Sequence, residues 1–286
     1  MTTSKPLLID DIGPALGCLT EFGQRILCPV AQSMQHTLRL FAAAHSWQTA
    51  SHSVFARWVE QSFSPDLVWL VLDPLIQVHP DSQNVKALRL SRHATQRGWE
   101  IDAALPPELA ELVCNTDVGL VDDVAMSGMT VRYVSDLVGR AGGRVRRVIV
   151  CASGAGTRGQ LRDNGSVEWT QFSDGSWDAV HMRDTCPLLP FSGRLVRQMR
   201  PIATDEGPVD IAIPVTAFRG GVWGQLVVDS NLRHSIASAA RLAVGRFSAA
   251  LGRAATMADV PRLGTNIRVS IRRPAFLTSP LESVML

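Results

Sequence analysis

Residues Val118–Val131 concentrate the chemistry of this chain: V-G-L-V-D-D-V-A-M-S-G-M-T-V. An apolar run delivers two adjacent carboxylates, Asp122 and Asp123. A short loop follows, Ala125-Met126-Ser127-Gly128-Met129-Thr130, and enters a helix. Ser127 and Thr130 supply hydroxyl donors. Gly128 lets the backbone come close to a ligand or take a positive φ. The free backbone N–H groups and dipole at a helix start attract an anion, most naturally a phosphate. The carboxylates, one turn away, repel that phosphate but accept hydrogen bonds from hydroxyls or hold a divalent cation. Phosphate on one side and vicinal hydroxyls on the other describe a ribose 5-phosphate. The same residues also read as a plain cap and turn of an α/β protein.

The flanking pattern predicts the elements that must hold this loop. Val118–Val121 reads as a buried strand and Thr130–Arg140 as a helix with Val131, Val134, Leu137 and Val138 inward. Gly142-Gly143 stops that helix, and Val145–Cys151 reads as a second buried strand. The result is a βαβ unit with its loop at the carboxyl end of the first strand, where open parallel sheets bind ligands. Upstream, Leu67–Leu72 is a continuous apolar run between turn residues, as in a strand buried on both faces.

Further out, residues 20–61 look helical, with Leu27, Val30, Met34, Leu38 and Phe41 at helical spacing, Pro29 as a start or kink, and a second helix over Ser53–Gln61. Val85–Trp99 is expected to be a basic helix. Val167–Phe172, Asp178–Met182 and Val209–Val215 suggest strands, the last at an edge because of Pro214. Asn231 is expected to cap a helix that runs to Leu251 and ends at Gly252. Glycine-rich Gly154–Gly159, Arg219-Gly220-Gly221 and the alternating Arg268, Arg272 and Arg273 read as connections or solvated faces.

Composition bounds the answer. Of 286 residues 46% are hydrophobic, ample for a packed core, while a net charge of +2 asks for no nucleic-acid or membrane partner. Apolar runs are far shorter than the roughly 20 residues of a membrane span. The first residues lack a secretory pattern, and Cys18, Cys28, Cys114, Cys151 and Cys186 form no CxxC pair. A cytoplasmic protein with reduced, mostly buried thiols is the expectation.

Asp122-Asp123 followed by Ser127-Gly128-Met129-Thr130 resembles the PRPP-binding motif of type I phosphoribosyltransferases, with Gly119 standing where that family has a larger apolar residue. The resemblance implies a parallel α/β core flanked by helices and extends over roughly Leu67–Cys151. It implies that Asp122 and Asp123 bind the ribose hydroxyls, directly or through water-linked Mg²⁺, and that Ala125–Thr130 wrap the 5′-phosphate. It places a pyrophosphate loop after the first core strand, at Asp73-Pro74-Leu75-Ile76. No Lys, Arg or Gly stands there, and the backbone N–H groups of Leu75 and Ile76 are the remaining donors. Lys86, Arg89 and Arg92 are the candidates to reach the leaving group.

The implied organisation is an N-terminal helical, hood-like region (1–62), a PRPP-binding core (63–185) and a C-terminal α+β subdomain or extension of the core (186–286). The implied reaction is Mg²⁺-dependent transfer of the phosphoribosyl group from PRPP to a base or other small nucleophile, in a homodimer. Two alternatives stand beside it: a non-enzymatic sensor of PRPP or ribose phosphate, and a metal-assisted α/β hydrolase using Asp122 and Asp123.

Overall fold

The computed structural model describes residues 6–95, 98–102, 104–154, 167–173, 179–186, 188–189, 194–198, 209–213, 229–264 and 281. Gly154 apart, Gly154–Gly159 lies outside them, as do Arg219-Gly220-Gly221, the three C-terminal arginines and Pro214-Val215. The chain divides into two compact units: residues 1–7, 50–91 and 101–179, and residues 8–49, 92–100 and 180–286. The division follows contacts rather than chain order, so N-terminal and C-terminal helices share the second unit.

The first unit is built on a parallel sheet. Its strands are β3 (Val68–Val71), β4 (Val85–Ala87), β7 (Asp117–Ala125), β8 (Arg144–Ser153) and β9 (Glu168–Gln171), in the order β4-β3-β7-β8-β9. Every neighbouring pair runs parallel, with Val71 opposite Val121 and Asp122 opposite Val150. Helix α3 (His52–Ser62) packs against β8, and α5 (Met129–Arg140) packs against β7 and β8. A further helix, α4 (Pro107–Val113), has its Leu109 and Val113 in the core.

The two faces of the sheet follow from strand alternation. Leu70, Leu72, Val118, Leu120, Val148 and Val150 share one core with Val131, Val134 and Val138 of α5. Each buried valine of that helix contributes about 1.5–3 kcal/mol. Fully buried Trp69 dominates the other face, with Phe63 5.1 Å away and the Arg147 guanidinium 6.0 Å from its ring centre. Gly119 now has a reason. A β-carbon there would lie 2.3 Å from the Trp69 ring, so the tryptophan fills the space that a larger residue would take.

The basic helix expected over Val85–Trp99 is not formed. That stretch holds β4, β5 (Ser91–Thr95) and the start of β6 (Gly98–Asp102). Helical spacing of its basic residues gave way to pairing: β4 adds in parallel to β3, with Trp69 opposite Val85, and β5 pairs with β11 (Arg194–Gln198). Among the described residues the four-stranded sheet runs β12-β11-β5-β6, with β12 (Val209–Ile213) at its edge. Likewise residues 20–61 are not all helical. Helix α2 (Glu21–Ala44) ends before β2 (Gln48–Ser51), which joins β1 (Leu7–Asp10) and β10 (Ala179–His181) in the order β10-β1-β2.

In the second unit α2 packs against α6 (Ser230–Leu251), whose cap is Asp229, not Asn231; Asp229 accepts from Leu232 N at 2.7 Å. Gly252 ends α6 in the left-handed region, φ 68°. Pro29 sits inside α2 and has no N–H, so the carbonyl of Arg25 loses its helical partner. Arg246 of α6 compensates: its Nη2 donates to Arg25 O at 3.2 Å and its Nε to Ile26 O at 2.9 Å.

A second device of this unit is a buried ionic cluster just before α1 (Ile12–Gly17). Asp11 accepts from His181 Nδ1 at 2.7 Å, from Arg183 N at 2.9 Å and from the Arg183 guanidinium. Burial works against the charged carboxyl. The Arg183 charge and the His181 contact outweigh it, and hold Asp11 below its usual range.

Candidate functional site

The candidate site lies where β7 gives way to α5. Strand β7 is flanked by β3 and β8, and its apolar residues anchor it on both faces. It extends through Asp122 and Asp123 to Ala125, further than the apolar run alone suggests. Both carboxylates are 3% exposed. Asp122 Oδ1 accepts from Asp123 N at 3.1 Å, and Asp123 Oδ1 from Val124 N at 2.6 Å. Alternation puts Asp122 on the Leu120 side and Asp123 on the Gly119 side, so they are not a side-by-side chelating pair.

Met126, Ser127 and Gly128 form the turn into α5. Gly128 is the N-cap residue of α5 in the left-handed region, φ 67°, where a side chain is strained. No side chain caps the helix, although Ser127 Oγ accepts from Met129 N at 3.4 Å. The first helical bond, Arg132 N to Gly128 O, is 2.9 Å. Ser127 is exposed and Thr130 buried. The loop is braced from β8: Gly154 N donates to Ala125 O at 3.1 Å, and a β-carbon at Gly154 would lie 2.3 Å from Met126 O. A strand end, a left-handed glycine and a helix start thus leave amide N–H groups at a positive dipole end, an arrangement suited to an anion.

The stretch Asp73–Ile76 follows β3, beside this loop. Leu72 N donates to Val121 O at 2.8 Å, which sets Asp73 level with the paired carboxylates. Its two candidate amides have partners within the turn. Asp73 Oδ1 accepts from Leu75 N at 2.9 Å, and Asp73 O accepts from Ile76 N at 3.4 Å. Leu75 and Ile76 are themselves buried. The other Asp73 oxygen accepts from His52 Nε2 at 2.6 Å, both side chains being buried. No local signal marks this pair, because its members lie 21 positions apart on different elements.

The basic candidates divide. Lys86, on β4, donates to Ser82 O at 2.5 Å, and Arg89 Nη1 donates to Asp73 O at 3.3 Å. Arg92 belongs to β5, in the second unit. Among the described residues no three His, Cys, Asp or Glu side chains gather as a metal site. None of the five cysteines forms a disulfide, only Cys151 and Cys186 are buried, and burial pushes the Cys186 thiol up to about 12. No described helix is long and apolar enough to cross a membrane.

The first unit is a parallel sheet flanked by helices, with the β7–α5 loop at the carboxyl end of its strands. No family model and no curated protein sequence matches the chain. Among solved structures it is similar to the orotate phosphoribosyltransferase of Mycobacterium tuberculosis in complex with inorganic phosphate, at 16% identity and TM-score 0.30. That match covers 41% of this chain and 66% of the other, just under two thirds of its length. The adenine phosphoribosyltransferase of Rhodothermus marinus gives 18% identity, TM-score 0.29, and coverage of 42% and 77%. A purine phosphoribosyltransferase from Pyrococcus horikoshii gives 14%, 0.29, and 45% and 83%. All three are phosphoribosyltransferases, the family that the motif resembles.

Proposed function

We propose that Val118–Val131 binds the 5-phosphoribosyl group of PRPP and that the chain is a phosphoribosyltransferase-like enzyme acting on a base or other small nucleophile. The observation that carries this is the β7–loop–α5 path. Two acidic residues lie near the carboxyl end of a buried parallel strand, and left-handed Gly128 turns the chain into a helix start without a side-chain cap. The loop Ala125–Thr130 would wrap the 5′-phosphate, and the ribose hydroxyls would donate to Asp122 and Asp123. Mg²⁺ fits as an ion carried in on the substrate's phosphates and waters, because the two carboxylates do not chelate side by side. Bound there, it would neutralise charge on the departing pyrophosphate.

Incubation with PRPP, Mg²⁺ and a panel of bases should release pyrophosphate with at least one acceptor. Asp122→Asn/Asp123→Asn should abolish ribosyl binding and leave the melting curve in place. Calorimetry that finds neither PRPP nor ribose 5-phosphate bound would overturn the reading. One observation favours a second reading, a sensor that binds without transferring. The Leu75 and Ile76 amides, the donors left for a leaving pyrophosphate, are taken by Asp73. Tight binding with no release for any acceptor would select it.

A further inference from the structure

Asp73 does more than close a turn. Its carboxylate sits where an anion would have to sit to use the Leu75 amide, and its carbonyl takes the Ile76 amide. Arg89 also donates to that carbonyl. The carboxylate is fixed from the far side by His52, at 2.6 Å between two side chains 1% and 0% exposed. His52 in turn is held at the start of α3, whose cap is Ser51, and its ring lies 6.1 Å from that of Phe55. Freeing the Leu75 amide therefore means moving a buried carboxyl group that a buried histidine holds. A pyrophosphate approaching the closed loop meets the Asp73 carboxyl group where the Leu75 N–H would otherwise point.

We propose that His52 and Asp73 form a latch that masks the pyrophosphate end of the candidate site, so that its ligand in the latched state is a ribose 5-phosphate without a 1-pyrophosphate. This rests on the reading of Val118–Val131 as a 5-phosphoribosyl cradle, and it narrows that reading to a ligand class: free ribose 5-phosphate or a nucleoside monophosphate. In the latched state the sugar phosphate gains the cradle's contacts, and the second phosphate group pair adds nothing.

Calorimetry on the full chain tests this with two probes, ribose 5-phosphate and PRPP, each with Mg²⁺. The wild-type protein should bind the two within about threefold of each other, far less than the tenfold that corresponds to about 1.4 kcal/mol. The double variant His52→Phe/Asp73→Ala removes the carboxylate without leaving an unpaired imidazole. It should keep its ribose 5-phosphate affinity and gain at least about tenfold for PRPP over ribose 5-phosphate. PRPP bound more than about tenfold tighter than ribose 5-phosphate by the wild type would overturn the latch and leave the cradle standing. So would a folded double variant that binds ribose 5-phosphate normally with no gain for PRPP. Absence of ribose 5-phosphate binding would instead remove the cradle, and the latch with it. The wild-type ratio decides independently of how well the variant folds.

Discussion

Replacing Gly154 by alanine should damage the candidate site from outside it. The new β-carbon would stand 2.3 Å from Met126 O and 3.2 Å from its carbonyl carbon, whereas ordinary contact begins at 3.4 Å. Both partners are backbone, so no rotamer change relieves the clash. The Gly154 N–H is tied to Ala125 O at 3.1 Å, and β8 is held between β7 and β9, so the displacement falls on Met126–Gly128. Overpacking of this kind costs about 1–3 kcal/mol. A loop shift of about 1 Å also stretches a phosphate hydrogen bond of ordinary length past its useful range. Each such charge-assisted bond is worth about 1.5–3 kcal/mol, so ribose 5-phosphate affinity should fall at least about tenfold. Denaturant titration gives the first quantity and calorimetry the second. Gly139→Ala is the matched control. It lies in α5 with nothing within 4 Å of a β-carbon, and should stabilise by about 0.5–1 kcal/mol. If Gly154→Ala melts like the wild type and binds ribose 5-phosphate equally well, the brace between β8 and the loop is refuted.

Other perturbations probe the scaffold. Arg246→Met should cost up to about 1 kcal/mol by leaving the Arg25 carbonyl without its side-chain donor, and less in a Pro29→Ala background, where an N–H returns to Arg25 O. A double-mutant cycle showing no coupling would discard that pairing. Gly119→Val should destabilise by at least about 1–3 kcal/mol, because the side chain enters the Trp69 ring, and a shift in tryptophan fluorescence should accompany it. Asp11→Asn should cost about 3–5 kcal/mol at neutral pH by leaving Arg183 buried beside an uncharged partner. The carboxyl is lowered in the folded state, so its stabilisation is present above the unfolded value of 3.8 and is lost as pH falls through the folded one. Acid titration of the wild type should show that loss, and Asp11→Asn should lack it.

How much was legible depended on how local the cause was. The βαβ unit around Val118–Cys151 could be read because each part carries its own reason: apolar β-branched runs for strands, periodic valines for α5, and Gly142-Gly143 for its end. The observed bounds differ from the expected ones by a few residues, chiefly because β7 continues through its carboxylates. Val85–Trp99 was misread because the spacing of its basic residues is compatible with a helix, and only pairing with β3 and β11 makes it strands. Gly119 departs from the family's larger apolar residue, and only the neighbouring strand shows why: Trp69 supplies the bulk.

The sequence by itself determined the parallel α/β core and the loop at Ala125–Thr130, since hydrophobic period, glycine and helix-start chemistry act over a few residues. Tertiary structure alone decided the rest: Asp73 meeting His52, Asp11 meeting His181 and Arg183, and Arg246 answering Pro29. These contacts join positions from 21 to 221 residues apart, and no periodicity links their members. Buried polar groups must find partners wherever folding brings them, and that requirement, rather than any local pattern, chose which residues meet.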